Sequence, residues 1–232
     1  MSYYRFINNG NGPTKLFVGG IHGKEGETTL KFFKSLSSSD FSNGKTIIYN
    51  FDETPYISTL KKEYYESDMG IEIINIIKKY KPDFYTELHC YNIHNYEKLI
   101  SLKRWESQGV PPLIELENKV LISSVSPLIR KKYFKSETIC KTLEIPCLNE
   151  FNPEKKLINE INQDSNQEFV QEFVQEFNQE LAIETYLNVV KLIAKSTNRR
   201  DFERNMIAIY PKQVKLAIKY AGEIFGKNYP PF

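Results

Sequence analysis

The chain is predicted to be an α/β protein built on a mostly parallel or mixed central sheet flanked by helices, and three observations predict it. Short apolar runs recur along the sequence, segments of helical periodicity lie between them, and Gly, Asn or Pro punctuates the boundaries. Strands alternating with helices give a sheet whose ligands gather at the carboxyl ends of its strands. Residues that close an apolar run are therefore the first candidates for a site.

The elements follow in order. Residues 15–21 (Lys-Leu-Phe-Val-Gly-Gly-Ile) form a strand, and Leu30, Phe32, Phe33 and Leu36 mark the helix after it. Asn43-Gly44 turns the chain into a second strand at Thr46-Ile47-Ile48-Tyr49. Ile71, Ile73, Ile74, Ile76 and Ile77 belong to a helix that ends near Pro82, and Phe84-Tyr85-Thr86-Glu87-Leu88-His89 is a third strand. Residues 120–125 and 139–145 read as further strands bounded by Pro127 and Pro146. A repeat of Gln-Glu-Phe over residues 167–180 places Phe169, Phe173 and Phe177 on one narrow stripe, which predicts a helical insertion at about 160–180 on the surface. Val214, Ile218, Ala221 and Phe225 mark a packing helix near the end.

With 232 residues, 41% of them hydrophobic, the chain suits a single domain over 1–232 with one substantial core. Lys and Arg (31) nearly balance Asp and Glu (29), so no large field favours nucleic acid or an anionic membrane, and a small molecule or short peptide is the expected partner. No apolar run approaches the roughly 20 residues of a membrane span, and Met1-Ser2-Tyr3-Tyr4-Arg5 does not start a signal peptide, so a cytoplasmic location is expected. Cys90, Cys140 and Cys147 lie in apolar surroundings and are expected to be reduced and packed.

His22 and Glu25 stand three positions apart just past the first strand, among Gly19, Gly20, Gly23 and Gly26, which let the backbone bend so that both side chains converge. His89 closes another strand. Two imidazoles and one carboxylate can fill three tetrahedral positions around zinc and leave the fourth open, which is the arrangement of a catalytic ion. His94, between Ile93 and Asn95, reads as a loop residue. Such a centre needs a base, and Glu144, between Leu143 and Ile145, fits because apolar surroundings raise a carboxyl toward working pH. Glu87 and Glu150 are the fallback bases.

Taken together, Gly19-Gly20-Ile21-His22-Gly23-Lys24-Glu25, Glu87-Leu88-His89 and Thr142-Leu143-Glu144 resemble, in that order, the metal and catalytic motifs of the zinc carboxypeptidase superfamily, above all its aspartoacylase and succinylglutamate desuccinylase branch. The whole chain also resembles an uncharacterised archaeal family, taken to lie within that superfamily. The resemblance implies the superfamily's fold, a zinc bound by His22, Glu25 and His89, catalysis by Glu144, and hydrolysis of an amide bond in a small N-acyl amino acid or short peptide. It also implies cationic recognition of an anionic substrate. Lys61 and Lys62 stand where that superfamily has Asn and Arg, so Lys62 and Arg130 are the candidate substrate anchors, although lysine lacks the guanidinium fork.

Two other classes compete. Residues 20–24 partly match a phosphate-binding P-loop, but Val18 replaces its first glycine and Glu25 its Ser or Thr. A non-catalytic metal-containing binding protein of the same fold is the alternative, because the arginine positions are altered. Glu144 favours the enzyme, since a purely structural zinc is ordinarily closed by four protein ligands.

Overall fold

The computed structural model describes residues 3–52, 54–148 and 177–226. Seven strands form one mixed sheet in the order β1-β3-β2-β4-β7-β6-β5. They are β1 Tyr3–Asn8, β2 Thr14–Gly19, β3 Lys45–Asn50, β4 Phe84–Tyr91, β5 Ile114–Glu115, β6 Leu121–Ser123 and β7 Ile139–Pro146. The inner strands β3, β2, β4 and β7 are parallel neighbours, while β1, β5 and β6 join antiparallel. The helices are α1 Gly26–Ser35, α2 Lys62–Glu66, α3 Asp68–Tyr80, α4 Tyr96–Ile100, α5 Lys103–Gln108, α6 Pro127–Tyr133, α7 Gln179–Lys195, α8 Arg199–Ile209 and α9 Pro211–Phe225.

Helices cover both faces of the parallel strands. On one face Phe17, Ile48, Phe84, Leu88, Leu143 and Ile145 pack with Phe32 and Phe33 of α1, Tyr186 and Val189 of α7, Phe202 of α8 and Val214 of α9. On the other, Leu16, Val18, Ile47, Tyr85 and Cys140 meet Tyr64 of α2, Ile73, Ile76 and Ile77 of α3, and Ile129 of α6. Period-two alternation sorts each strand between the two layers. Burial on both sides explains why these strands read as continuous apolar runs.

Topology then opens a crevice. The chain leaves β2 toward β3 on one side and leaves β4 toward β7, β6 and β5 on the other, so the loops beyond these adjacent strands diverge at the carboxyl edge.

Several expectations need correction. Ile218, expected on a packing stripe, is exposed, because the buried stripe of α9 runs through Val214, Ala217 and Ala221. Cys90 and Cys147 are joined in a disulfide with Cα atoms 4.9 Å apart, and Cys140 is the free buried thiol. Their separation of 57 residues concealed a contact that arises because β4 and β7 are adjacent and in register. The insertion at about 160–180 lies mostly outside the described residues; within them, Phe177 packs against the first core layer and α7 begins at Gln179. Among the described residues no helix is long and apolar enough to cross a membrane.

Candidate functional site

The turn after β2 must bring His22 and Glu25 together in little space. Gly20 has φ +66°, and a Cβ there would stand 2.1 Å from the Phe51 carbonyl oxygen, so only glycine fits without displacing backbone. Three side chains hold the turn. Thr54 Oγ1 donates to Gly20 O (3.3 Å) and Gly23 O (3.4 Å), Tyr64 donates to Ile21 O (2.9 Å), and Asn50 Nδ2 donates to Gly26 O (3.1 Å). Glu25 then sits at the start of α1, buried, directed at the edge of β4.

There its carboxylate meets both histidines. Oε1 is 3.4 Å from His22 Nδ1 and Oε2 is 2.9 Å from His89 Nδ1. Burial alone would raise the Glu25 pKa, but the charge of His89 and contacts with both imidazoles outweigh it and hold the carboxyl below its ordinary value. For His89, burial favours the neutral ring, yet Glu25, and then Glu87 and Glu144, carry its pKa well above the usual histidine value. Each partner therefore favours the charged form of the other.

The far side of the His89 ring faces a second carboxylate. His89 Nε2 is 3.5 Å from Glu87 Oε2, which also accepts from Thr142 Oγ1 (3.3 Å), while Glu87 Oε1 accepts from Tyr85 (2.9 Å). Glu87 and His89 share a strand face because they are two residues apart.

Glu144 is the register partner of His89 across the β4–β7 ladder. Its Oε2 is enclosed and has no hydrogen-bond partner. Burial, reinforced by the charge of Glu25 against the opposing pull of His89 and Arg104, pushes its carboxyl up to about 7.

A cavity of about 1030 Å³ covers this edge, lined among others by His22, Tyr56, His89, Arg104, Trp105 and Glu144. Arg104, on α5, donates to Pro111 O (2.9 Å) and Gln108 Oε1 (3.2 Å) and has no carboxylate ion-pair partner among the described residues. Burial lowers its pKa and the charge of Glu144 opposes that.

His22, Glu25, His89 and Glu144 are thus brought together, whereas the two anchors are not. Lys62 is exposed at the start of α2 and does not line the cavity. Arg130 reaches only its distant end, where the guanidinium donates to Lys135 O (2.9 Å), Ser136 O (3.0 Å) and Thr138 O (3.2 Å). Thr138 lies six residues before Glu144, about 20 Å along an extended strand. Arg104, Asn50 and Tyr64 escaped the sequence reading; a polar residue closing the run 46–49 was the available signal for Asn50. His94 is exposed in a 3₁₀ turn, and Glu150 lies outside the described residues. Among the described residues no group of three or more His, Cys, Asp or Glu side chains stands ready to hold a metal ion.

Fold and site define an α/β protein with a buried imidazole–carboxylate cluster at the carboxyl edge of a mixed sheet. Comparison with known proteins places it among relatives. A profile of the family described as "Uncharacterized protein conserved in archaea (DUF2119)" matches residues 10–226, and the chain belongs to that family. It is 39% identical over 229 residues to uncharacterized protein MJ0501 of Methanocaldococcus jannaschii, covering 97% of this chain and 95% of that one. No solved structure matches it. The expectation of membership in the zinc carboxypeptidase superfamily is corrected accordingly: the matching family is the archaeal one, and the resemblance rested on three short motifs, whose common placement at strand ends other α/β proteins can share.

Proposed function

We propose that the protein is a zinc-dependent hydrolase that cleaves an amide bond in a small N-acyl amino acid or short peptide. The observation that carries this reading is the Glu25 carboxylate in contact with both His22 and His89, beside the enclosed and unpartnered oxygen of Glu144. Two ligands about 2.0–2.1 Å from one tetrahedral ion stand about 3.3 Å apart. The contacts of 3.4 and 2.9 Å run to different oxygens of Glu25, so one small divalent cation would be held by His22, Glu25 and His89 only once the carboxylate and the two rings have turned toward a common point. Such an ion, when bound, supplies a Lewis acid that acidifies water and polarises a carbonyl.

The chain's own groups supply the rest. Glu144 takes the proton from the attacking water and returns it to the departing amine, a task suited to an acceptor oxygen with no competing hydrogen bond. Arg104 orients an anionic group of the substrate, in place of Lys62 and Arg130, because it lines the cavity and its charge is felt at Glu144. Tyr56 and Trp105 form partly exposed aromatic walls, and the cavity volume suits a small molecule or a short peptide. The unpartnered Glu144 oxygen favours this reading over a non-catalytic metal protein.

Metal analysis of purified protein tests it, coupled to a screen of N-acyl amino acids and short peptides. Wild type should carry close to one zinc per chain and His22→Ala far less. Equal zinc content in the two, or no hydrolysis of any member of the screen by zinc-loaded protein, would overturn the proposal.

A further inference from the structure

We infer that Glu87 is a positioning residue for His89: it accepts the Nε2–H and thereby turns Nδ1 toward Glu25 and His22. This rests on the metal reading above, in which Nδ1 is the atom that meets the ion. An imidazole that coordinates through Nδ1 must carry its proton on Nε2, and the group facing that proton must be an acceptor. Glu87 Oε2 stands there, 3.5 Å away.

The carboxylate is held for this task from three directions. Tyr85 fixes Oε1 at 2.9 Å, Thr142 fixes Oε2 at 3.3 Å, and the strand backbone places it on the His89 face. It is 2% exposed, and its only ion-pair partner among the described residues is His89. A buried carboxylate without Lys or Arg is costly. Its position is explained by the histidine it orients.

The alternative use of Glu87, as the base for hydrolysis, fits the geometry less well. Both of its oxygens already accept hydrogen bonds, whereas Glu144 Oε2 accepts none. Glu87 also does not line the cavity. It acts through His89 and not on substrate.

The experiment combines zinc titration by calorimetry with ¹⁵N–¹H spectra of the histidine side chains in wild type, Glu87→Gln and Glu87→Asp. Carboxylates behind metal-ligating histidines typically contribute 10- to 100-fold in metal affinity, so both variants should bind zinc about 10-fold or more weakly. The Nε2–H signal of His89, slowed against exchange in wild type, should be lost in Glu87→Asp, whose carboxylate stops one methylene short, and shifted in Glu87→Gln, whose amide oxygen is a weaker, uncharged acceptor. Tyr85→Phe leaves the carboxylate in place and should retain the signal. Wild-type zinc affinity together with an unchanged Nε2–H signal in folded Glu87→Gln or Glu87→Asp would overturn the inference. If wild type binds no zinc but the signal still disappears in Glu87→Asp and shifts in Glu87→Gln, the metal reading fails while the orientation of His89 by Glu87 stands.

Discussion

The two faces of the β4–β7 ladder bury ionisable groups in opposite ways. On one face Glu87, His89, Thr142 and Glu144 lie side by side, and the charges of Glu25, Glu87 and His89 offset one another. On the other, Lys141 is 2% exposed with its ammonium 5.8 Å from the Phe202 ring, and Lys15 on β2 is 1% exposed, bonded to Ser42 and over Phe84. Burial lowers the pKa of Lys141 to about 7, with Arg199 and Arg130 adding repulsion, and lowers that of Lys15 to about 8. The contrast teaches that an acid and a base in contact, as Glu25 and His89 are, favour each other's charged form in the interior, whereas an amine packed against rings is pressed toward its neutral form. On the first face the cavity meets a carboxylate, Glu144, with one oxygen unused.

The sharpest way to break this comparison is Glu144→Gln. It keeps the shape of the side chain but cannot accept a proton, so turnover should fall by about 10²-fold or more while zinc content stays at the wild-type level. Steady-state kinetics with metal analysis reads both, and near-normal turnover would return the base to the rest of the site.

Next in size is the turn that builds the network. Gly20→Ala introduces a Cβ 2.1 Å from a carbonyl oxygen at a positive φ, and should cost about 2–4 kcal/mol in urea unfolding together with most of the zinc. A stable variant with full zinc content would show that the turn tolerates rearrangement.

Arg104→Ala tests whether the polar face also reads charge on the substrate. Losing a charge-assisted bond made equally in the ground and transition states should raise KM about 10-fold, with a smaller change in kcat, for a carboxylate-bearing substrate. The amidated version of that substrate should lose nothing. Equal effects on both would remove Arg104 from recognition.

The effect furthest from the cavity chemistry belongs to the lysine face. A lysine whose folded pKa is depressed to about 7 from its ordinary 10.5 leaves the unfolded chain holding more protons between those values, so its contribution to stability rises with pH across that window. Below about pH 7 both states are protonated and the contribution is constant. Lys141→Met should therefore flatten the rise in unfolding free energy between pH 7 and 10, by at most about 1.4 kcal/mol per pH unit, and raise Tm at pH 7. An unaltered pH profile would mean that Lys141 is ionised in the fold.

Much of this architecture was legible because the signals are local. Residues 15–21, 46–49, 84–89 and 139–145 are apolar runs with polar punctuation, and they became the strands of the sheet centre. The short antiparallel β1 and β5 were not legible: β1 alternates Tyr, Arg and Phe at an exposed edge, and β5 is two residues long, so neither is set by its own hydrophobicity. His22, Glu25, His89 and Glu144 were legible for the same reason as the strands, since each closes or interrupts an apolar run where a polar residue is costly.

What lies between elements was decided by the tertiary structure. Sequence gives no measure of which helix leans over the carboxyl edge, so Arg104 was missed and Lys62 and Arg130 were chosen by spacing. The partner of Cys90 likewise depends on β7 and β4 being neighbours in register, a consequence of how the whole sheet orders itself. By itself the sequence determined the alternation of strands and helices and the residue types at the strand ends, because periodicity and burial act over a few residues. The sheet order, the crevice between β2 and β4, the meeting of Glu25 with His89 and the place of Arg104 on the cavity wall came only from packing, because they join residues that chain connectivity leaves far apart.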